Sequence, residues 1–400
     1  MIPSKELFVL ADFSCGRYYT HHSSYLKDFF DFLTLEGKET QVWVNTSADS
    51  KVVNLFGENV KACLRSNLYS YSSKTNLIGF LMDKLMNRVP LVKRINPIRN
   101  FFITLYLKSA LKEFEKNIKS ESNINLIFPT LDGLGLQFIR KVIVQYADKI
   151  SLISVRITNA ETRGTFGESN SLEILKKLIS QYPNKINIGF EVEPYNEILE
   201  KNGIPKVNIF WSPMPFIKRN LENKYDKKLQ LNIGFIGSAR KNKGFDEIPS
   251  LVKYALSKNI STHFYIQLPI FKWPRFHETF KILSDNFNHK ITFIDGATDK
   301  STIDNIVENM DLVVLPYYTE TYRLAGSGIL FISADYSIPI ASSTNLGFNW
   351  DIESFNLGFT FSSPEDFANK LLRFKKSEFS ENFKQYNLYR AQATKKFLKL

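Results

Sequence analysis

Residues Asp311–Ser343 read DLVVLPYYTETYRLAGSGILFISADYSIPIASS, and this stretch decides the fold. An apolar, β-branched run, Leu312 to Leu315, closes on Pro316, the pattern of a buried parallel strand. A polar loop from Tyr317 to Gly326 carries one carboxylate, Glu320, and one guanidinium, Arg323. Ser327 and Gly328 open a predicted helix through Asp335, with Ser327 as N-cap. A second short strand is expected over Pro339–Ser342. A loop that leaves the carboxyl end of a buried strand and feeds a helix N-terminus is where open α/β sheets bind anions. Free N–H groups and the helix dipole both favour negative charge there. An ordinary βαβ crossover with a polar loop carries the same pattern, so the rest of the chain must separate the two.

Working outward, strand and helix patterns alternate on both sides. In the first half, strands are expected at Leu7–Ala11, Thr40–Val44, Leu126–Pro129, Ile150–Val155 and Ile186–Phe190. Helical spacing appears over Ser23–Leu35, Phe101–Lys119, Leu134–Gln145 and Ser171–Ser180. The first turn holds Gly16, His21 and His22; one glycine is too few for a dinucleotide fingerprint. The segment GIPKVNIFWSPMPF clusters Pro205, Pro213 and Pro215 and reads as an interdomain linker. Alternation restarts with a strand at Asn232–Ile236, a helix at Phe245–Ser257 and strands at Thr262–Gln267 and Ile291–Ile294, then a helix at Lys300–Asn309. A strand at Gly358–Phe361, a helix at Pro364–Phe374 and a basic helical tail from Phe379 to Leu400 complete the chain. The expected domains are 1–212, a linker at 213–230, a second domain at 231–376 and the tail at 377–400. Both domains are α/β with doubly wound parallel sheets.

A chain of 400 residues with 44% hydrophobic content can bury two such cores. Its net charge of +12 points to an anionic partner: nucleic acid, a membrane surface or a phosphorylated substrate. Two cysteines, Cys15 and Cys63, suggest neither a disulfide framework nor a zinc site, which suits a reducing cytoplasm. The N-terminal residues lack a signal-peptide layout, and no apolar run is long enough to span a bilayer. Between residues 65 and 100, Lys84, Arg88, Lys93, Arg94 and Arg99 stand among apolar side chains, a pattern suited to peripheral contact with an anionic membrane face or to a solvated basic loop.

The restart strand ends in Gly237-Ser238-Ala239-Arg240-Lys241-Asn242-Lys243-Gly244. Three cations after a first strand can face a diphosphate, Arg240 as a bidentate donor and Lys243 as a point charge. The P-loop order of glycines and GKS/GKT is missing.

The order of linker, G-x5-K-G loop, Asp-Leu-Val-Val-Leu-Pro strand, carboxylate loop, Ser-Gly helix start and Ile-Pro-Ile strand resembles the donor half of GT-B glycosyltransferases. The similarity is greatest to the retaining family 4 enzymes, and it covers residues 205 to about 375. It implies two Rossmann-like domains facing each other across a cleft, with the last helix crossing back to the first domain. It further implies transfer, with retention, from a nucleotide-diphosphate sugar to a hydroxyl of a glycan or lipid-linked acceptor, with no cofactor and no metal. Carried over by position, Lys243 binds the donor diphosphate with Arg240, and Glu320 contacts the transferred sugar; these three are the expected catalytic residues. Gly237, Ser238, Arg323, Gly326, Ser327 and Gly328 complete the donor site, and Gly16, His21 and Arg156 would face the acceptor. Departures from the family are Ser238 where an arginine is common, Ile332 where the ribose-binding glutamate stands, and Arg156 in place of a histidine.

Three other readings compete. A non-catalytic nucleotide-sugar-binding partner subunit is favoured by Ile332. A nucleic-acid-binding protein would rest on the charge alone, without a recognition motif. An epimerase on the same fold would release free sugar and nucleotide diphosphate.

Overall fold

The computed structural model describes residues 6–16, 21–66, 96–119, 121, 123–131, 133–157, 168–217, 230–237, 239–269, 275–296 and 300–400. Lys84, Arg88, Lys93 and Arg94 of the basic segment therefore lie outside the described residues, as do Ser238 and the side chains of His21 and Arg99. The chain divides into two compact units. Unit 1 holds Met1–Glu191, Tyr195–Pro215 and Ala393–Leu400; unit 2 holds Val192–Pro194 and Phe216–Gln392.

Unit 1 runs β1 (Leu7–Asp12), α1 (His21–Leu35), β2 (Glu39–Asn45), α2 (Ser50–Asn54), β3 (Val60–Leu64), α3 (Asn96–Ile118), β4 (Ile124–Leu131), α4 (Gly133–Tyr146), β5 (Ile150–Ile157), α5 (Glu168–Gln181), β6 (Ile186–Phe190), α6 (Pro194–Lys201) and β7 (Ile209–Trp211). Its seven strands pair in the order β3-β2-β1-β4-β5-β6-β7, all parallel. Every residue of β1 and β4 is buried, as expected of central strands covered on both faces. Pro129 cannot donate to the ladder, and the β4–β5 register shifts between Phe128 and Leu131.

Unit 2 runs β8 (Leu231–Phe235), α7 (Ile248–Ser257), β9 (Thr262–Gln267), α8 (Phe276–Phe287), β10 (Ile291–Ile294), α9 (Lys300–Glu308), β11 (Leu312–Leu315), α10 (Thr319–Tyr322), α11 (Gly328–Asp335), β12 (Ile340–Ser343), α12 (Asn349–Ser354), β13 (Gly358–Phe361), α13 (Pro364–Leu371) and α14 (Ser380–Leu398), whose last turns belong to unit 1. Its six parallel strands are ordered β10-β9-β8-β11-β12-β13. The two sheets are thus the doubly wound parallel sheets that the alternation predicts. Chain order reverses between β1 and β4 in unit 1 and between β8 and β11 in unit 2. Open α/β sheets bind ligands at the carboxyl ends of the strands flanking such a reversal. The expected polar loop after β11 contains one helical turn, α10. Among the described residues, no helix is long and apolar enough to cross a membrane.

Polar groups inside each core have specific jobs. In unit 1, Ser154 Oγ and Asn187 Nδ2 donate to the Phe397 carbonyl at 3.1 and 2.6 Å, satisfying the end of α14. Gly189 allows that approach, because a Cβ there would stand 2.9 Å from the Phe397 ring. In unit 2, Arg390 binds Asp335 at 2.7 Å and Asn387 Nδ2 donates to the Ala334 carbonyl, so α14 grips the far end of α11.

Asp351, on α12, is 1% exposed. Its Oδ1 accepts from the Tyr386 hydroxyl at 3.0 Å, and Oδ2 has no partner among the described residues. Burial, reinforced by Glu193, pushes this carboxyl up to about 7 against the opposing pull of Tyr386 and Arg390. A carboxyl raised on folding from an unfolded value of ~3.9 holds more protons folded than unfolded, so stability falls as pH rises from about 4 through 7. Asp351→Asn keeps the acceptor for Tyr386 and removes the charge. Its Tm is expected to exceed wild type at pH 8 by about 2–4 °C, equivalent to about 1 kcal/mol, with no gain at pH 4.5. Melting curves at the two pH values check this; a loss at pH 8 would contradict it.

Candidate anion site at the switch point of unit 2

The site assembles from two loops, one after β8 and one after β11. Gly237 follows β8 with φ +94°, and its N–H donates to Gln267 Oε1 at 2.6 Å. A Cβ at Gly237 would lie 3.0 Å from Lys243 Nζ and 3.1 Å from Ile329 Cγ1. The bare backbone therefore lets the ammonium settle against the turn and against the first residues of α11. Lys243 Nζ also stands 5.4 Å from the centre of the Tyr317 ring. It is half-buried, and among the described residues it makes no ion pair with a carboxylate. Burial lowers its pKa, the Tyr322 hydroxyl opposes that, and the Arg240 charge adds to it.

Beside it begins α11. Ser327 occupies the N-cap position, as expected, but its side chain makes no capping bond; its Oγ lies 3.5 Å from the Tyr317 hydroxyl. The leading N–H groups of the helix are thus left without the side-chain acceptor that an N-cap serine ordinarily supplies. Among the described residues, a Cβ at Gly328 would meet nothing within 4 Å. The α11 sequence, GILFISAD, is buried on most of its surface, which fixes the helix rigidly. Burial pushes the Tyr317 hydroxyl up to about 12, so it stays a neutral donor or acceptor at the site.

The two loops are bolted together. Tyr318 N–H donates to the Asn242 carbonyl at 3.0 Å, and the Tyr318 hydroxyl donates to Asp246 at 2.7 Å. Gly244, φ +68°, presses against the end of β11 so closely that a Cβ would fall 1.8 Å from the Pro316 carbonyl oxygen. On the other side, Gly347 N–H donates to the Tyr322 carbonyl at 2.8 Å, and Tyr317 packs on Tyr322 at 4.4 Å.

The structure thus brings Gly237, Lys243, Ser327 and Gly328 into one neighbourhood. Arg240 is exposed on the same loop as Lys243, and Glu320 is exposed on α10. Arg323 is exposed and Gly326 half-buried on the approach to α11. Ile332, inside α11, is half-buried, and Asp335, the one carboxylate of α11, is engaged by Arg390. Tyr317 and Gln267 are site residues that sequence reasoning passed over. The tyrosine sat in plain view after Pro316, whereas the glutamine reaches the site only through sheet pairing.

Unit 1 places its expected residues differently. The Gly16 carbonyl accepts from Asp49 N–H at 3.0 Å, within the turn after β1. Arg156 is fully buried: Nε donates to the Ser212 carbonyl at 2.8 Å, Nη1 to the Pro129 carbonyl at 3.3 Å and Nη2 to Glu191 at 2.5 Å, with Tyr25 against its plane. Its donors point inward, and the groups nearer the strand ends are others. Asp12 closes β1, and its Oδ2 lies 2.8 Å from His22 Nδ1; Thr130 Oγ1 is 3.3 Å from that oxygen and 3.2 Å from that nitrogen. The other carboxylate oxygen accepts from Ser14 N–H at 2.7 Å. The Asp-Phe-Ser turn at the end of a buried strand was the available signal for Asp12.

No family model matches this sequence, and no curated protein matches it. Among solved structures, a glycosyltransferase from Rickettsia africae superposes with a TM-score of 0.61 at 11% identity, covering 99% of this chain and 96% of the other. The apo form of the lipopolysaccharide outer core galactosyltransferase WaaB gives 0.60 at 11% identity, covering 98% of each chain. The Anabaena protein HepE, in complex with UDP, gives 0.60 at 10% identity, covering 98% of this chain and 95% of its own. At this level of identity the likeness is one of architecture, and it extends over nearly the whole chain: two parallel-sheet, Rossmann-like domains with the GT-B fold.

Proposed function

We propose that the protein is a glycosyltransferase that moves a sugar from a nucleotide-diphosphate sugar to a hydroxyl of a glycan or lipid-linked acceptor. The observation that carries this reading is Lys243: a half-buried ammonium with no ion-pairing carboxylate among the described residues, set beside an uncapped helix N-terminus at the sheet's switch point. Cations are rarely buried without a partner, and the partner that fits here is a phosphate brought by a ligand. Charge builds on the departing diphosphate as the sugar leaves, and fixed donors aimed at that charge lower the barrier. Lys243 and the α11 N-terminus supply such a field, and Arg240 extends it from the rim. Glu320 would orient sugar hydroxyls from α10. This scheme needs no metal. The fold neighbours support it: one is described as a galactosyltransferase and another holds UDP. Peripheral attachment at the inner membrane face, through the basic segment Lys84 to Arg99, belongs to the same proposal.

The second reading, a nucleotide-sugar-binding subunit without catalysis, is favoured by Ile332 and by the commitment of Asp335 to Arg390. A panel of UDP-, GDP- and CMP-sugars, followed by melting temperature and by release of free nucleotide, separates the two. Stabilisation of several degrees with slow nucleotide release supports transfer. Stabilisation without any release supports the binding subunit, and no response to any nucleotide contradicts both.

A further inference from the structure

Gln267, the last residue of β9, is 3% exposed, and β9 lies between β8 and β10 in the sheet of unit 2. Its side chain reaches toward both neighbours. Oε1 accepts from Gly237 N–H, after β8, at 2.6 Å, and Nε2 donates to the Gly296 carbonyl, after β10, at 3.4 Å. An N–H can only donate and a carbonyl can only accept, so these two partners fix which way the amide faces. One buried side chain thus ties together the carboxyl ends of three strands. The turn it holds borders the anion site. Gly237 stands at φ +94°, and the place a Cβ would take is 3.0 Å from Lys243 Nζ and 3.1 Å from Ile329 Cγ1. Ile329 is the second residue of α11. The bare Gly237 backbone is therefore the shared seat of the ammonium and of the helix's first turn. Because its N–H is committed to Gln267, Gly237 serves the anion through what it seats and not as a donor. Without the amide, the Gly237 N–H has to turn toward water, which rotates its peptide and shifts that seat.

We infer that Gln267 is a positioning residue of the diphosphate site: through Gly237 it sets the span between the Lys243 ammonium and the N-terminus of α11. The inference rests on the donor reading above and adds to it a residue that acts without touching the ligand. Two fixed anion-binding groups favour a diphosphate, which engages both, over a monophosphate, which engages one. The gain depends on the span between them, and it is lost when the geometry no longer allows both contacts at once. Gln267 therefore controls the preference for a diphosphate rather than affinity for nucleotides in general.

The test is a double-mutant cycle of wild type, Gln267→Met, Lys243→Met and the double variant. Methionine keeps the unbranched length of glutamine and offers no amide. UDP and GDP are titrated beside UMP and GMP by calorimetry, and the ligand-free Tm is read for each protein. In Gln267→Met the preference for the diphosphate is expected to fall by about tenfold, with monophosphate affinity within about threefold of wild type. In the Lys243→Met background the same substitution should change diphosphate affinity by less than about twofold, because the ammonium it positions is gone. Ligand-free Tm should fall alike in both backgrounds, since the Gly237 N–H and the Gly296 carbonyl each lose a partner. A glutamine that only braces the fold would lower Tm and leave the diphosphate preference at its wild-type value. That result overturns the inference, as does an equal loss of diphosphate affinity with Lys243 present and absent; in both cases the donor reading stands. Gln267→Asn, whose amide is withdrawn by one methylene, carries the same comparison where Gln267→Met does not fold. A wild type that binds neither UDP nor GDP brings down the donor reading itself, and this inference with it.

Discussion

Lys243→Met is expected to remove most donor binding while leaving the ligand-free protein as stable as wild type or slightly more so. Methionine retains the unbranched stem that packs near Gly237 and Ile329 but carries no charge. In the ligand-free chain the ammonium is held where burial works against its charged form. Relief of that cost is worth up to about 1 kcal/mol. With ligand present the sign reverses, because a charge-assisted bond to phosphate contributes about 1.5–3 kcal/mol. Affinity for the nucleoside diphosphate should therefore fall by about 10–10², and kcat/KM by about 10²–10³ if the same contact strengthens as the diphosphate leaves. A lysine with a merely structural role would show the opposite: lower ligand-free stability and unaltered affinity.

Gly244→Ala should be the most damaging single change in the site. The residue needs φ +68°, which costs an L side chain about 1–2 kcal/mol, and its Cβ would meet a backbone carbonyl at 1.8 Å. A carbonyl at the end of a central strand cannot swing aside, so the loop must lift from β11 and break the Tyr318–Asn242 bond. A loss of about 3 kcal/mol or more follows, read as a Tm drop of about 6–12 °C. Gly328→Ala is the matched control. Its Cβ would meet none of the described residues within 4 Å, so stability should hold or rise slightly, while the proposed phosphate position over this helix start predicts a fall in nucleotide affinity.

Much of this was written in the chain. Ile186–Phe190, a buried central strand, carries the bounds its apolar run predicts, and so do Thr262–Gln267 and the two edge strands Ile291–Ile294 and Gly358–Phe361. The edge strand β3 of unit 1 and the short helices were less visible. Val60–Leu64 is VKACL, half-exposed and without a clear period, and the six-residue helix Asn349–Ser354 mixes Trp, Asp and Glu. The nearness of Gly237, Lys243, Ser327 and Gly328 was readable because glycine, lysine and a Ser-Gly helix start lie in two contiguous loops. The His22–Asp12–Thr130 cluster was not, because its members are up to 118 residues apart and only the pairing of β1 with β4 joins them. Arg156 shows the converse: a lone arginine after a strand looks like a ligand contact, and Glu191, 35 residues on, claims it.

The most direct test of the donor site is calorimetric titration of wild type and Lys243→Met with the nucleoside diphosphate selected by the panel and with its monophosphate. The predicted result is that wild type binds the diphosphate at least about tenfold more tightly than the monophosphate, and that this difference collapses in Lys243→Met. Equal affinity for the two nucleotides in wild type, or a preference that survives loss of the Lys243 charge, would contradict the assignment of this loop and helix start as a diphosphate site.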